Sequence, residues 1–193
     1  MINPADTITV IQARLESTRL PSKVLYPFGS GSILTTIIES CQQMGPEIVL
    51  LATAASNRVL EPLARQSKIK YFSGNTGSQL QDFLDASRGY PYINRICADA
   101  PFMSAPLTRY LLLWGHEASD IIVMKGVPHG LTGTVVKRRA LVRLMESAPT
   151  AEEHQHVTLG VMTRPEFTVE WVDPEDLSVD TIEDYTRVRE LLV

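Results

Sequence analysis

The sequence predicts a single α/β domain in which helices cover both faces of a mostly parallel β-sheet. The first observation is that short apolar, β-branched runs alternate with helical stretches along the chain, the pattern of connected β and α units. The second is the length of 193 residues, which suits one domain with a sizeable core. The third is that no internal repeat, low-complexity tract or linker interrupts the chain. We therefore treat residues 1–193 as one domain.

The strand candidates are six short apolar runs and one alternating run near the end of the chain. They are Thr7–Ala13, Glu47–Thr53, Ile69–Phe72, Tyr92–Cys97, Asp120–Met124, Thr134–Val136 and, as an edge strand, Phe167–Val172. The helix candidates are Ser32–Gln43, Asn57–Gln66, Ser78–Ser87, Ala105–Gly115, Arg138–Ser147 and the closing amphipathic segment Thr181–Leu192. Ser78 and either Ser56 or Asn57 are candidate helix caps, and Pro106 suits a first helical turn.

The composition is that of a globular protein of the cytoplasm. Hydrophobic residues make up 44% of the chain, but no apolar run reaches the length of a membrane span, and no secretion signal begins the sequence. The net charge of −4 disfavours a nucleic-acid partner, which usually requires a basic surplus. Cys41 and Cys97 lie in apolar segments without metal-ligand spacing, which predicts buried free thiols in a reducing compartment.

The segment after the first strand is locally cationic. Arg14, Arg19 and Lys23 follow the apolar run that ends at Ala13, and helical pattern resumes only near Ser32. Ligands of open α/β sheets bind beyond the carboxyl ends of the strands, where the strand order changes direction. Arginine offers a planar fork to phosphate oxygens and lysine a mobile point charge. A long loop of this kind predicts a polyphosphate receptor.

Other polar residues follow the later strands. Asp99 belongs to the segment Ala98-Asp99-Ala100-Pro101 that follows the fourth strand, and a helix cap and a metal ligand are its two default explanations. Asp180 likewise ends a short β-like segment, and a helix begins after it. Asp180-Thr181-Ile182-Glu183 has the pattern of a capping box. His129 and His156 are either solvated loop residues or substrate contacts.

Several common chemistries lack their motifs in this chain. There is no GxGxxG fingerprint, no GxxxxGK(S/T) phosphate loop and no GxSxG nucleophile elbow. Asp99-Ala100-Pro101 also supplies one aspartate where metal-dependent glycosyltransferases ordinarily show two, one residue apart. A cationic loop and two separated carboxylates remain, and that set suits a nucleoside triphosphate with Mg²⁺.

Four segments occur in order along the chain: Ile11-Gln12-Ala13-Arg14 with Ser17–Leu25, then Ala98-Asp99-Ala100-Pro101, Glu153-His154-Gln155-His156-Val157-Thr158 and Val179-Asp180-Thr181-Ile182-Glu183-Asp184. Together they resemble the motifs of the cytidylyltransferase family, which includes the CMP-sugar synthetases and, most similar, the SpsF-like spore-coat-polysaccharide proteins. The resemblance implies a three-layer α/β/α nucleotidyltransferase fold like that of type-A glycosyltransferases. It also implies transfer of CMP from CTP to a sugar or acidic-sugar acceptor, with release of pyrophosphate.

The resemblance assigns roles to ten residues. Arg14, Lys23 and Asp99 would be catalytic, and Asp99 and Asp180 would coordinate Mg²⁺. The residues that would contact CTP are Ala13, Arg14, Arg19, Lys23, Thr53, Gly74 and Asp99. His129 and His156 would contact the acceptor. The implied partners are CTP and a small sugar-like molecule, with a homodimer as the candidate assembly, although Gly126–Arg164 is short for the family's dimerisation arm.

The chain departs from the family pattern in the regions expected to contact phosphate or acceptor. Ser22 replaces a glycine, and at a positive φ the serine would cost roughly 1 kcal/mol. Neutral Ser78 and Thr132 stand where the family has acidic residues, and His154-Gln155 replaces an arginine and a glutamate. Two further functions are compatible with this fold: a glycosyltransferase or activator of a non-sugar acid, and a non-catalytic binder of nucleotide or carbohydrate.

Overall fold

Helices flank both faces of a seven-stranded sheet in the computed structural model, which describes residues 2–75, 77–174 and 178–190. The strands are β1 (Thr7–Ala13), β2 (Pro27–Phe28), β3 (Gly31–Ser32), β4 (Glu47–Thr53), β5 (Lys70–Gly74), β6 (Tyr92–Cys97), β7 (Ile121–Met124), β8 (Thr134–Lys137) and β9 (Val169–Val172). The helices are α1 (Ile33–Gln42), α2 (Asn57–Gln66), α3 (Gln79–Ala86), α4 (Ala105–Trp114), α5 (Arg138–Glu146), α6 (Ala151–Gln155), α7 (Leu159–Thr163) and α8 (Ile182–Glu190). The predicted fold class is confirmed.

The main sheet has the order β5-β4-β1-β6-β8-β7-β9 and is parallel except at β8. Strand β1 lies inside the sheet, between β4 and β6, and β9 is the predicted edge strand. The antiparallel strand β8 was not foreseen in that orientation. Composition does not predict the direction of this strand, because a short run that is covered by helices on both faces is apolar in either orientation.

The core consists of two layers, one on each face of the sheet. Alternation along β1 divides its side chains between them, since successive residues of a strand point to opposite faces. Ile11 and Ala13 pack with helices α1 and α2, whereas Ile8 and Val10 pack with α3, α5 and α7. Gln12 therefore lies on the α3 face, at the carboxyl end of a strand that is otherwise apolar on that side.

Most predicted helix starts are confirmed by their caps. Ser32 forms a capping box with Thr35, Ser78 accepts from the Gln81 amide, and Pro106 lies in the first turn of α4. Ser56, one of the two candidates for α2, occupies the cap position but makes no side-chain cap bond, and the other candidate, Asn57, is the first residue of the helix. The last helix is capped reciprocally by Thr181 and Asp184, one residue beyond the expected Asp180 start. Its predicted end at Leu192 lies outside the described residues.

The elements that the sequence pattern did not reveal are short. Lys23–Leu25 forms a 3₁₀ turn, β2 and β3 form a two-residue hairpin, and α6 and α7 have five residues each. A segment of five residues is under two helical turns, so it carries too little periodicity to be recognised. Within the described ranges, no helix is long and apolar enough to cross a membrane.

Candidate active site

A cleft of about 540 Å³ opens at the carboxyl ends of β1, β4 and β6. The chain leaves β1 toward β4 on one side and later returns to place β6 on the other, so this is the point at which the strand order changes direction. Eight predicted site residues line the cleft: Ala13, Arg14, Arg19, Lys23, Thr53, Asp99, His129 and His156. The sheet topology thus brings the cationic loop and the Asp99 turn to one place.

An ion pair joins the two motifs inside the cleft. Lys23 Nζ contacts Asp99 Oδ2, and the two side chains are 26% and 40% exposed. Lys23 is held there by local structure, because the Ser22 amide donates to Leu15 O at 2.9 Å and the 3₁₀ turn begins at Lys23. Arg14 and Arg19 are exposed at the same cleft, which leaves their guanidinium groups accessible to an anion.

Ser22 has the strained backbone that the sequence comparison anticipated. Its φ of 56° and ψ of 21° lie in the left-handed region, and its side chain makes no cap bond. Glycine adopts this conformation freely, whereas the Cβ of serine crowds the following carbonyl oxygen. The strained residue lies directly before Lys23, at the start of the 3₁₀ turn.

Replacing Ser22 with glycine is therefore expected to raise the free energy of unfolding by roughly 1 kcal/mol. Urea denaturation followed by circular dichroism measures it. Ser30→Gly is the matched control, because Ser30 is an exposed residue of the same segment whose φ is not positive. A lower stability for Ser22→Gly than for the parent chain would contradict the strain argument.

Glu16 fastens the cationic loop to the end of β4. Its carboxylate accepts hydrogen bonds from the Thr53 and Ser56 hydroxyls, each at 3.0 Å, and Ser56 Oγ also accepts from the Leu15 amide at 3.2 Å. Burial acts to raise the pKa of Glu16, but backbone amides and the two hydroxyls outweigh burial and hold this pKa below its ordinary value. The hydroxyl of Ser56 is thus used to hold a loop and not to cap α2.

Helix α6, which carries the resemblance motif around His156, is anchored by an ion pair between the buried Glu153 and the partly buried Arg164. Arg164 donates to both carboxylate oxygens of Glu153 at 2.6 Å, and Glu153 also forms a capping box with Thr150. Hydrogen bonds from Arg164 are the main cause of the low pKa of Glu153, about 2. On the neighbouring face, the Ser78 hydroxyl and His154 Nδ1 are 2.7 Å apart, which ties α6 to the start of α3.

The Glu153 pair predicts a specific acid sensitivity. Because the folded pKa of about 2 lies below the ordinary 4.5, the pair stabilises the fold above pH 4.5, and this contribution is lost as the pH falls toward 2. We expect Glu153→Gln to be less stable than the parent at pH 7 and to lose less stability between pH 4.5 and pH 2. Urea unfolding across that range measures both effects.

The neighbouring Glu152→Gln is the control for this experiment, since Glu152 is exposed and belongs to the same helix. It should reproduce the parent's pH dependence. An unchanged pH dependence in Glu153→Gln would show that this carboxylate does not carry the acid sensitivity.

The cleft also contains residues that sequence reasoning did not select. They are chiefly Gln12, Gln79, Asp82, Arg95, Cys97 and Gln155. Arg95 and Gln12 gave a usable signal, because each is a polar residue inside a strand that is otherwise mostly apolar. Cys97 is half-buried at the cleft, so the prediction of two buried thiols holds only for Cys41, whose burial raises its pKa to about 12.

Two predicted site residues do not line the cleft. Gly74 ends β5 and is buried, and a Cβ at this position would clash with the Asp82 carboxylate. Asp180 is exposed and accepts a hydrogen bond from the Ser178 hydroxyl at 3.0 Å. The structure therefore joins Asp99 to the cationic loop but does not join Asp180 to Asp99 at this cleft.

Comparison with known families shows to which class of protein this chain belongs. A family model described as cytidylyltransferase matches residues 8–166, a span that runs from β1 to beyond α7. The chain belongs to the cytidylyltransferase family. It is therefore a nucleotidyltransferase enzyme, as the four sequence motifs predicted. Among relatives of this cytidylyltransferase is the spore coat polysaccharide biosynthesis protein SpsF of Bacillus subtilis, 27% identical over 207 aligned residues that cover 96% of this chain and 86% of SpsF.

Solved structures support the fold. A cytidylyltransferase from Leptospira borgpetersenii has a TM-score of 0.79 at 24% identity and covers 94% of this chain and 84% of its own. CMP:2-keto-3-deoxy-manno-octonic acid synthetase, solved with CTP, has a TM-score of 0.64 at 14% identity, with 96% and 98% covered. Rv0371C of Mycobacterium tuberculosis, solved with manganese, has a TM-score of 0.65 at 18% identity, with 95% and 98% covered.

Proposed function

We propose that this cytidylyltransferase transfers CMP from CTP to a sugar or acidic-sugar acceptor in polysaccharide or glycoconjugate biosynthesis. An acceptor oxygen attacks the α-phosphorus, the bond from that phosphorus to the bridging oxygen breaks, and pyrophosphate leaves with the electron pair. The acceptor hydroxyl releases its proton to solvent. The observation that carries the proposal is the Lys23–Asp99 pair at the switch point of the sheet, inside a cleft that Arg14 and Arg19 also line.

The first task of the site is to neutralise the triphosphate. Phosphoryl transfer is catalysed mainly by positioning and by countering charge on the phosphoryl oxygens. Arg14 and Arg19 are exposed and free to turn toward a ligand, and Lys23 is fixed at its backbone but carries a flexible side chain. These three cations would hold the phosphates in the cleft, with Lys23 nearest the reacting phosphorus because it already lies beside Asp99.

A divalent cation fits the residues present. Asp99 presents a partly exposed carboxylate to the cleft, and its partner is a mobile ammonium group that phosphate can draw away. Mg²⁺ commonly uses one or two protein carboxylates and completes its shell with phosphate oxygens and water. Bound there, Mg²⁺ would counter negative charge on the phosphates. Because Asp180 does not line the cleft, the metal proposal rests on Asp99.

The nucleoside would lie against the β1 and β4 ends. Ala13 and Thr53 line the cleft there, and the Glu16 carboxylate holds the Thr53 and Ser56 hydroxyls in fixed positions. A rigid wall of this kind leaves selection of the base to backbone groups of the Thr53–Ser56 segment. His129 and His156 are exposed at the same cleft and are the proposed acceptor contacts.

Pyrophosphate release tests this function. The full chain is incubated with CTP, Mg²⁺ and a panel of neutral sugars, sugar acids and 2-keto sugar acids, and the nucleotide products are identified by mass spectrometry. We expect pyrophosphate and a CMP conjugate with at least one acceptor class. Nucleotide binding without any conjugate across the panel would favour a non-catalytic binder, and transfer of a sugar from a nucleotide-sugar donor would favour a glycosyltransferase.

A further inference from the structure

Four polar side chains form a continuous hydrogen-bonded row in the wall of the cleft. They are Arg95 on β6, Gln12 on β1, Gln79 on α3 and Gln155 on α6, and we call them the amide row. Arg95 Nη2 donates to Gln12 Oε1 at 3.2 Å, and Gln12 Nε2 donates to Gln79 Oε1. Gln79 Nε2 then donates to Gln155 Oε1 at 3.2 Å. The row thus connects four separate elements on the α3 face of the sheet.

The arginine sets the direction of the whole row, because a guanidinium group can only donate hydrogen bonds. Gln12 must turn its carbonyl oxygen to Arg95, so its amide nitrogen faces Gln79. Gln79 must then accept with its own oxygen, which leaves its nitrogen for Gln155. Each glutamine oxygen accepts one of the two hydrogen bonds that it can take. Gln12 and Gln79 each keep one further N–H, and the NH₂ group of Gln155, at the end of the row, keeps both. The remaining capacity of the row is weighted toward donors.

Arg95 is a cation that lines the cleft together with the carboxylate of Asp82. It is half-buried and forms no ion pair with a carboxylate in the part of the chain that the structure describes. Its Nε is buried and has no hydrogen-bond partner there. A buried polar group without a partner is costly, and more so when it belongs to an ion. Because Arg95 lines the cleft, an oxygen atom of a bound ligand would offset part of this cost through the rest of the guanidinium group.

We propose that the amide row recognises the acceptor, and that Arg95 is the positioning residue that fixes its polarity. This inference rests on the proposed function, because the acceptor must lie in the cleft that holds the nucleotide. The row offers N–H groups to oxygen atoms of the acceptor, either hydroxyl or carboxyl. It gives a function to three glutamines, which carry no charge of their own, in a cleft that Arg14, Arg19 and Asp99 also line.

Binding of two probes, D-glucuronate and D-glucose, tests the row directly. Ligand-observed NMR on the full chain measures both probes, and calorimetry measures CTP with Mg²⁺ separately. Gln79→Leu interrupts the row, and Gln81→Leu is the matched control on the same helix, where Gln81 donates to Asp85 and does not line the cleft. Arg95→Met removes the residue that orients the amides, and Arg95→Lys retains a cationic donor as the rescue variant.

We expect Gln79→Leu and Arg95→Met to weaken probe binding about tenfold, the equivalent of one hydrogen bond in a desolvated site. CTP affinity should change by less than about twofold, which is well below the effect of losing one hydrogen bond. Gln81→Leu should change neither the CTP affinity nor the affinity for the probes. If only D-glucuronate is affected, carboxyl oxygens occupy the row; if both probes are affected, hydroxyl oxygens do. Arg95→Lys should recover part of the loss.

The proposal is overturned if the parent chain binds neither probe, or if both row variants bind the probes as the parent does. It is also overturned if CTP and probe affinities fall together, because the row would then be a structural support of the whole cleft. Failure of the proposed function has a different result: the parent would not bind CTP, while any effect of Gln79→Leu on the probes would persist.

Discussion

Replacing Lys23 with methionine is expected to lower the rate of pyrophosphate release from CTP by on the order of 10²-fold or more, the cost of losing one group that stabilises charge in a transition state. Methionine retains the length of the lysine stem but not the ammonium group. Lys23 is the cation that the structure holds against Asp99, where the α-phosphate of CTP would be attacked. Steady-state kinetics with saturating CTP, Mg²⁺ and acceptor measures the effect.

The control for Lys23→Met is Lys70→Met, which removes a comparable pair outside the cleft. Lys70 Nζ contacts Glu47 Oε1 at the β4–β5 side of the sheet, and neither residue lines the site. Mn²⁺ binding without nucleotide should not weaken in Lys23→Met, because the variant removes a cation that competes for Asp99. Normal turnover in Lys23→Met would show that this lysine only pairs with Asp99 and does not act on the phosphates.

The second large effect is expected from Asp99→Asn. The substitution preserves the shape of the side chain and an oxygen that can accept from Lys23, so the fold should survive. It removes the charge that a divalent cation requires, and we expect turnover to fall by on the order of 10²-fold or more. The thermal shift that CTP produces in the presence of Mg²⁺ should decrease in parallel. Differential scanning fluorimetry with and without Mg²⁺ measures that shift.

Glu47→Gln, the carboxylate of the control pair, should leave both turnover and the CTP shift unchanged. If Asp99→Asn retains the metal-dependent shift, Asp99 is not the ligand, and its pairing with Lys23 is structural. If the shift is lost but turnover persists, metal binding and chemistry are separate in this enzyme. The first result would remove the metal assignment, and the second would keep Asp99 as a metal ligand but contradict its role in catalysis.

The fold and the ionic half of the site follow from local sequence. Strand β1 is predicted correctly because Thr7–Ile11 is a continuous apolar, β-branched run. The position of Asp99 at the cleft could be predicted because it lies two residues beyond the end of β6. Once the strands are known to be mostly parallel, their carboxyl ends must share an edge. The meeting of Lys23 with Asp99, separated by 76 residues, could therefore be anticipated without the structure.

The amide row could not be anticipated in the same way. Its contacts join residues 67 to 83 positions apart, and two of them depend on how α3 and α6 dock at the rim of the sheet. Glutamine carries no charge pattern that marks it, and α6 is too short for periodicity to reveal. Asp180 was selected from a motif, but its position depends on the packing of a terminal segment that no local pattern specifies.

The most direct test of the central claim is calorimetric titration of the full chain with CTP, UTP, GTP and ATP in the presence of Mg²⁺. We predict that CTP binds most tightly, that removal of Mg²⁺ weakens its binding, and that Asp99→Asn abolishes the effect of the metal. Tighter binding of another nucleotide, or CTP affinity that is the same with and without Mg²⁺ in the parent chain, would contradict the assignment of this cleft as a CTP site.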